Sequence, residues 1–306
     1  GKLPLGIAQV GKSFRNEIAP RQSLLRLREF YQAEIEVFCN PNNLSEVEKF
    51  SEIQDVTIRI QTDGDPVSMT CKEAVESGIV PNKLVAYYLG ILTEFYEKTG
   101  IDITKSRFRK LGDKEKAFYA EVAFDFEVET TIGWLELVAC NYRSDYDLTS
   151  HAIKSKQKFE IMDGDDKVLP HIFEISMGID RSLYTILEHS LKDDKEHERI
   201  VLALKPYLSP VHIGILSLVK KDGLKEKTDE IYLQLKRKCD AFLDHSGAIG
   251  RRYRRLDEIG SPFAITVDHQ TLEDETVTIR MRDSMEQKRI SISELDSEVI
   301  QSIAYP

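Results

Sequence analysis

The stretch that most limits what this chain can fold into runs from Leu25 to Phe38, reading Leu-Arg-Leu-Arg-Glu-Phe-Tyr-Gln-Ala-Glu-Ile-Glu-Val-Phe. It alternates with a period of two. Leu27, Tyr31, Ala33, Ile35 and Val37 share one face of an extended strand, and Arg26, Arg28, Phe30, Gln32, Glu34 and Glu36 share the other. An ordinary half-buried strand has a core face and a solvent face. Here the polar face carries guanidiniums at one end, carboxylates at the other and an aromatic ring between them. Upstream, Phe14 to Ile18 also reads as extended, with Arg15 and Glu17 on one face, and Pro20 with Gln22 and Ser23 marks a turn. The two halves predict an antiparallel hairpin.

Such a face suits a nucleotide. A guanidinium meets phosphate as a planar fork, a Phe ring offers a base a stacking plane, and a carboxylate further along can hold an ammonium group. A solvated strand laced with salt bridges fits the same alternation, because charged strand faces are common. Periodicity alone leaves both readings open.

The 306 residues are enough for two domains with real cores. No apolar run is long enough to cross a bilayer, and the amino end lacks a signal-peptide pattern. Cys39, Cys71, Cys140 and Cys239 are scattered with no CxxC pair, so neither a zinc site nor a disulfide framework is indicated. Reduced thiols in a cytoplasmic protein are the expectation. Net charge is −10, and residues 197–306 hold 17 Lys+Arg against 18 Asp+Glu, which leaves −9 in residues 1–196. A global basic footprint is absent. Any nucleic-acid contact must use local clusters such as Arg251-Arg252-Tyr253-Arg254-Arg255.

Further along, Val56–Ile60 reads as a short strand, and residues 82–98 as a helix with Leu84, Tyr87, Tyr88, Ile91, Leu92 and Phe95 at helical spacing, stopped by Gly100. Phe118–Glu129 alternates, with Val122, Phe124, Phe126 and Val128 opposite Asp125, Glu127 and Glu129. Gly133–Cys140 is apolar on both faces except for Glu136, so it reads as a strand covered on both sides. A carboxylate there needs a charged or hydrogen-bonding partner. A structural ion pair with Arg143 is one candidate, a ligand the other. Pro170–Tyr184 reads as a strand followed by a helix opening at Gly178, with an apolar stripe of Ile179, Leu183, Ile186 and Leu187. Arg181 lies off that stripe in the first turns. A cation there opposes the helix dipole and calls for a phosphate or carboxylate partner.

The charge-rich run near 190–200 sets a domain boundary, giving 1–193 and 194–306. Beyond it come a buried strand at Pro210–Leu218, a helix over roughly 224–243, a strand at Phe263–Val267 and a hairpin near Val277–Asp283. That order predicts a small α/β domain.

The residues themselves go further than their periodicity. F-R-N-E-I-x-P-R followed by R-x-R-E-F-x-x-A-E-I-E closely resembles motif 2 of the dimeric archaeal/eukaryotic glycyl-tRNA synthetases, a class II type. Phe173–Arg181 is similar to class II motif 3. G-x-I-G-R-R-Y-x-R-x-D-E-I-G with R-D-S-M-x-Q is similar to the class IIa anticodon-binding domain. The similarity runs nearly end to end. It implies an α/β (α+β) fold: a class II antiparallel sheet with flanking helices in 1–193, and a C-terminal α/β anticodon-binding domain in 194–306. It also implies ATP and Mg²⁺ as cofactors, glycine and tRNA(Gly) as substrates, and a homodimer.

On this resemblance Arg15, Arg26 and Arg181 carry the catalysis. Arg15 would hold the α-phosphate and the amino-acid carboxylate, Glu17 the adenine amino group, and Arg26 the γ-phosphate. Phe30 would stack on adenine with Arg181 on the opposite side. Asn16, Leu27, Glu136 and Leu137 complete the implied ATP set, and Glu136 is the candidate near Mg²⁺. Glu34, Glu174 and Ser176 match the positions that surround the glycine ammonium. In the second domain Arg251, Arg252, Arg255, Asp257 and Glu258 would read the anticodon, although a structural salt-bridge network fits those residues equally.

Two departures stand out. The family usually reads Gly-x-Ala-Asp-Arg where this chain has Ala139-Cys140-Asn141-Tyr142-Arg143, so no family role passes to Asn141 or Tyr142. The sequence also starts just before motif 2, without motif 1 and without an upstream glutamate that helps bind glycine. A fragment, one piece of a split protein and a numbering that omits residues all fit that start, and taken literally the polypeptide alone need not be active. Two rivals to the ligase are a non-catalytic, nucleic-acid-binding synthetase paralogue and a sister class IIa ligase. The presence of Arg15, Glu17, Arg26 and Arg181 speaks against the first, and Glu34, Glu174 and Ser176 together speak against the second.

Overall fold

The alternating stretch becomes one arm of a long hairpin. In the computed structural model, which describes residues 2–20 and 23–305, strand β1 (Leu5–Phe14) pairs antiparallel with β2 (Glu29–Cys39), from Leu5 opposite Phe38 to Phe14 opposite Glu29. The strands thus end sooner at the loop than the sequence predicts, and Arg15, Glu17, Arg26 and Leu27 lie in the connection. The turn expected at Pro20 and Gln22–Ser23 includes Gln22, which lies outside the described residues. The chain divides into two compact units, Gly1–Thr185 and Ile186–Pro306.

In the first unit, β1 and β2 join β3 (Thr57–Gln61), β4 (Val67–Thr70), β5 (Ser106–Lys110), β6 (Val122–Thr130), β7 (Gly133–Ser144) and β10 (His171–Gly178) in an eight-stranded sheet of order β1-β2-β10-β7-β6-β5-β3-β4. A small hairpin of β8 (Ile161–Asp163) and β9 (Asp166–Val168) precedes β10. All pairings in the large sheet are antiparallel except β3 with β5.

Short helices α1 (Phe50–Ile53) and α2 (Cys71–Glu76) accompany α3 (Lys83–Lys98). Asn82 starts α3 by accepting from the Val85 amide at 3.0 Å, the side-chain cap that satisfies an otherwise orphaned donor. The buried face of α3 is Leu84, Val85, Leu89, Leu92 and Tyr96, rotated from the expected stripe, while Ile91 and Phe95 are exposed. Tyr96 fixes that rotation: its ring stacks on Phe126 with centroids 4.8 Å apart, and its hydroxyl meets Ser182 Oγ at 2.9 Å. Gly90 permits close packing, because a Cβ there would lie 2.1 Å from Ile53 Cγ2.

The back of the sheet is therefore core, and the front is left open. Glu136 lies on that front and is exposed, which overturns the expectation of a strand covered on both sides. Helices α4 (Tyr146–Ser155) and α5 (Ile179–Ser190) follow β7 and β10. The apolar stripe expected on α5 is partly exposed at Ile179, Leu183 and Leu187.

The second unit has the hairpin β11 (Leu191–Asp194) and β12 (Arg199–Leu202) and a five-stranded sheet of order β14-β13-β15-β16-β17. Its strands are β13 (Ile213–Ser217), β14 (Ala241–Asp244), β15 (Phe263–Val267), β16 (Thr276–Met281) and β17 (Gln287–Ser291). Strands β13, β14 and β15 run parallel, with α6 (Leu224–Leu235) crossing from β13 to β14. The expected helix over 224–243 ends early because Ala241-Phe242-Leu243 pairs as an edge strand. Helices α7 (Ile249–Ile259), α8 (His269–Asp274) and α9 (Leu295–Ile303) complete the α/β unit. Its core gathers Ile213, Ile215, Leu224, Ile231, Leu235, Ile265 and Val277.

Candidate active site

The open front of the first sheet holds a cleft of about 390 Å³. Four neighbouring segments supply it. From the hairpin loop come Arg15, Glu17, Arg26 and Leu27, from β2 Phe30, Gln32 and Glu34, from β7 Glu136, Leu137, Ala139 and Asn141, and from β10 and the start of α5 Glu174, Ser176, Asp180 and Arg181. Of the expected ATP and glycine residues, only Asn16 lies outside this lining.

The order along β2 sets the spacing. Phe30 and Glu34 are four residues apart, about 13 Å at 3.3 Å per residue. At the loop end, Arg15 lies over the Phe30 ring with its guanidinium carbon 5.6 Å from the centroid. Arg26 donates from Nε to Glu17 at 2.9 Å, and Arg28 donates to the Glu17 carbonyl at 2.8 Å. From the opposite wall Arg181 donates to the carbonyls of Glu136 at 2.9 Å and Leu25 at 3.2 Å, and stands 3.5 Å from the Glu136 carboxylate. The partner required of Arg181 is thus Glu136, and Arg143 is not the partner of Glu136. Asp180 accepts from the Tyr31 amide at 2.7 Å and so ties the start of α5 to β2.

The inner end is a row of carboxylates set by strand register. Ser176 stands opposite Glu34 and Glu174 opposite Glu36 on the β2 side, while on the β7 side Glu174 faces Asn141 and Ser176 faces Ala139. Asn141 donates to Glu174 Oε2 at 3.0 Å, Gln32 donates to Ser176, and Arg143 reaches Glu174 Oε1 at 3.2 Å. Arg143 also lies 4.3 Å from the centre of the Tyr119 ring. Next to this row, burial pushes the Asp125 carboxyl up to about 7; the Glu136 charge adds to the shift and Arg109 opposes it.

Tyr119, Gln32 and Asp180 were given no site role from the sequence, Asn141 was left without one, and Arg143 was weighed only as a partner for Glu136. The alternation of Ala139, Asn141 and Arg143 along β7 marks a shared face, and only the pairing of β7 with β10 brings the last two residues to Glu174.

The glycine–tRNA ligase of Archaeoglobus fulgidus is 36% identical over 97% of this chain and 65% of its own length, and that of Methanothrix thermoacetophila 37% identical over 94% and 64%. The glycine–tRNA ligase of Methanocaldococcus jannaschii is 36% identical over 96% of this chain and 67% of its own length. The chain belongs to the glycine–tRNA ligase family. It spans less than two thirds of the length of the first two of these relatives. Residues 212–302 match the family model for an anticodon binding domain. A solved prolyl-tRNA synthetase from Cryptosporidium parvum, complexed with L-proline and AMP, superposes with a TM-score of 0.63 at 19% identity over 98% of this chain and 56% of that one. That likeness shows the class II synthetase fold.

Within the family's second domain, the expected anticodon set divides. Arg251, Arg255 and Glu258 are exposed on α7. Arg252 and Asp257 are only 2% and 1% exposed. Arg252 donates to the carbonyls of Ser217 at 2.7 Å and Asp244 at 3.0 Å. Asp257 is clamped by Arg280 at 2.8 and 3.0 Å and by Arg199 at 3.0 Å. These two therefore belong to the domain's interior, which corrects their expected place on an RNA-reading surface. The physical reason is helical periodicity: Arg252 and Leu256, four apart, share the inward face of α7.

Proposed function

We propose that this chain carries the active site of a glycine–tRNA ligase, which activates glycine with ATP and passes it to the 3′ end of tRNA(Gly). The observation that supports this most is convergence. Three guanidiniums and an aromatic plane meet at one end of a single cleft, and two strand carboxylates with a serine meet at the other.

Amino-acid activation sets a carboxylate in line with the α-phosphate and expels pyrophosphate. Positioning and charge neutralisation supply most of the rate. Arg15 holds the α-phosphate and the amino-acid carboxylate, Arg26 the terminal phosphate, and Phe30 and Arg181 sandwich adenine beside Glu17. Arg26 and Arg181 start from internal partners, Glu17 and the Glu136 carboxylate, so the terminal phosphate competes with Glu17 for Arg26, and the adenine stacks on a guanidinium already held by Glu136. Glu34, Glu174 and Ser176 surround the glycine ammonium, with Glu174 held by Asn141 and Arg143. A rigid wall of hydrogen-bonded side chains can reject a methyl group where mere loss of contact would discriminate by only about 1–3 kcal/mol.

Among the described residues no group of three or more His, Cys, Asp or Glu side chains could hold a metal. Glu136 fits Mg²⁺ only as a single carboxylate beside nucleotide phosphates, where the ion would neutralise charge. We assign residues 1–193 to the catalytic core and 194–306 to the anticodon-binding domain, whose exposed Arg251, Arg255 and Glu258 face the tRNA. A cytoplasmic homodimer completes the reading. Among the described residues no helix is long and apolar enough to cross a membrane.

Exchange of labelled pyrophosphate into ATP tests the proposal. Glycine should support exchange, alanine and serine should not, and Glu174→Gln should raise the glycine KM at least about tenfold, the effect of losing one charge-assisted contact. Equal exchange with alanine would remove the specificity. No exchange with any amino acid despite retained tRNA binding would favour the non-catalytic paralogue.

A further inference from the structure

Glu36 sits one step behind the cleft. Two residues beyond Glu34 on β2, it projects from the same sheet face, and its cross-strand partner on β10 is Glu174. Like charges directly opposite one another in a ladder destabilise it unless a counter-charge intervenes. One guanidinium serves both: Arg143 from β7 stands 3.2 Å from Glu174 Oε1 and 3.7 Å from Glu36 Oε1. The same Arg143 donates from Nε to Asp147 on α4 at 2.7 Å.

The donors are divided unequally. Glu174 has Asn141 as a second donor, whereas Glu36 Oε2 is buried with no hydrogen-bond partner. The groups facing Glu36 are Glu34 on β2, Glu174 on β10, Arg143 on β7, Asp147 on α4 and Tyr119 ahead of β6, and β1 sets Ile7 opposite it. One cation among four carboxylates leaves the inner pocket short of positive charge. Burial and then the Glu174 charge push the Glu36 carboxyl up to about 7, with Arg143 opposing.

We propose that Glu36 is a positioning residue for the substrate ammonium: it keeps a proton while the pocket is empty and releases it to solvent when an ammonium settles between Glu34 and Glu174. The incoming cation replaces the proton in the local charge balance. A nearby positive charge favours the ionised carboxylate, so binding expels the proton and affinity rises with pH. Through Arg143, the ionised Glu36 then holds the guanidinium against the wall behind Glu174. This rests on the reading of the cleft as a glycine site.

The test is the glycine KM in pyrophosphate exchange between about pH 6 and pH 8. For a single group titrating near the middle of that range, KM should fall roughly tenfold across it, with kcat changed less than about twofold. Glu36→Gln, a neutral isostere, should give a flat profile near the acidic limit of the wild type. A profile in Glu36→Gln as steep as in wild type would overturn the proposal. Calorimetry of glycine binding to the wild-type protein at neutral pH, in two buffers of different ionisation enthalpy, guards against a variant that fails to fold. Release of a fraction of a proton supports the proposal, and binding with no release overturns it alone. No glycine binding at any pH would remove the reading of the cleft and this role together.

Discussion

The arginines of the hairpin and the buried arginines of the second unit, Arg252 of α7 among them, start from the same chemistry and reach opposite ends. In the first unit Arg26 keeps 59% of its side chain exposed, with one carboxylate partner in Glu17, and Arg15 rests on the face of Phe30. In the second unit Arg252 is buried against two carbonyls, and Arg282, also 2% exposed, donates to the carbonyls of Leu202 at 3.1 Å, Gly260 at 2.8 Å and Leu204 at 2.8 Å. Arg199 and Arg280 close on Asp257. A guanidinium has five donors, and what it can bind depends on how many the chain has already taken. On the open front of the large sheet most remain free for a ligand. On the inward face of a helix that packs against its own sheet, the fold encloses the guanidinium: Arg252 gives one nitrogen to two carbonyls, and its Nε is buried without a partner.

The largest expected effect breaks the interior side of this comparison. Asp257→Ala leaves Arg199 and Arg280 without their shared carboxylate, and losing one partner of a buried ion pair costs roughly 3–5 kcal/mol. Urea unfolding followed by a probe in the second unit should show its midpoint falling steeply, and a change within about 0.5 kcal/mol would place Asp257 among ordinary surface residues. Arg26→Ala should do the reverse. Its exposed pair with Glu17 is worth under about 1 kcal/mol of stability, yet the variant should lose ATP affinity by an order of magnitude or more, since a charge-assisted phosphate contact disappears. If Arg26→Ala destabilised the protein as much as Asp257→Ala while leaving the ATP KM unchanged, the contrast between the two regions would collapse.

The same contrast shows how far a sequence can be read. The β1–β2 hairpin is legible because alternation is local, and the cleft face of β2 follows once the strand is known. The buried role of Arg252 was available in principle, since Leu256 four residues on marks the inward face of α7. What no local pattern reveals is lateral order. β2 lies beside β10, and β10 beside β7, so Glu36, Glu174 and Arg143 become neighbours across more than a hundred residues of chain. The pairing register of β10 with β7 also shifts between Ile172 and Phe173, and that irregularity cannot be read from period-two spacing. The same non-locality explains why Glu136, taken from its apolar neighbours to be enclosed, faces an open cleft and pairs with Arg181.

One measurement bears most directly on the claim that a single cleft joins nucleotide recognition to ammonium recognition: a crystal structure of the protein with a non-hydrolysable glycyl-adenylate analogue. The adenine should lie between Phe30 and Arg181, with the ammonium about 13 Å further along β2, between Glu34 and Glu174. An analogue bound elsewhere, or one in this cleft with its ammonium turned away from both carboxylates, would contradict the account.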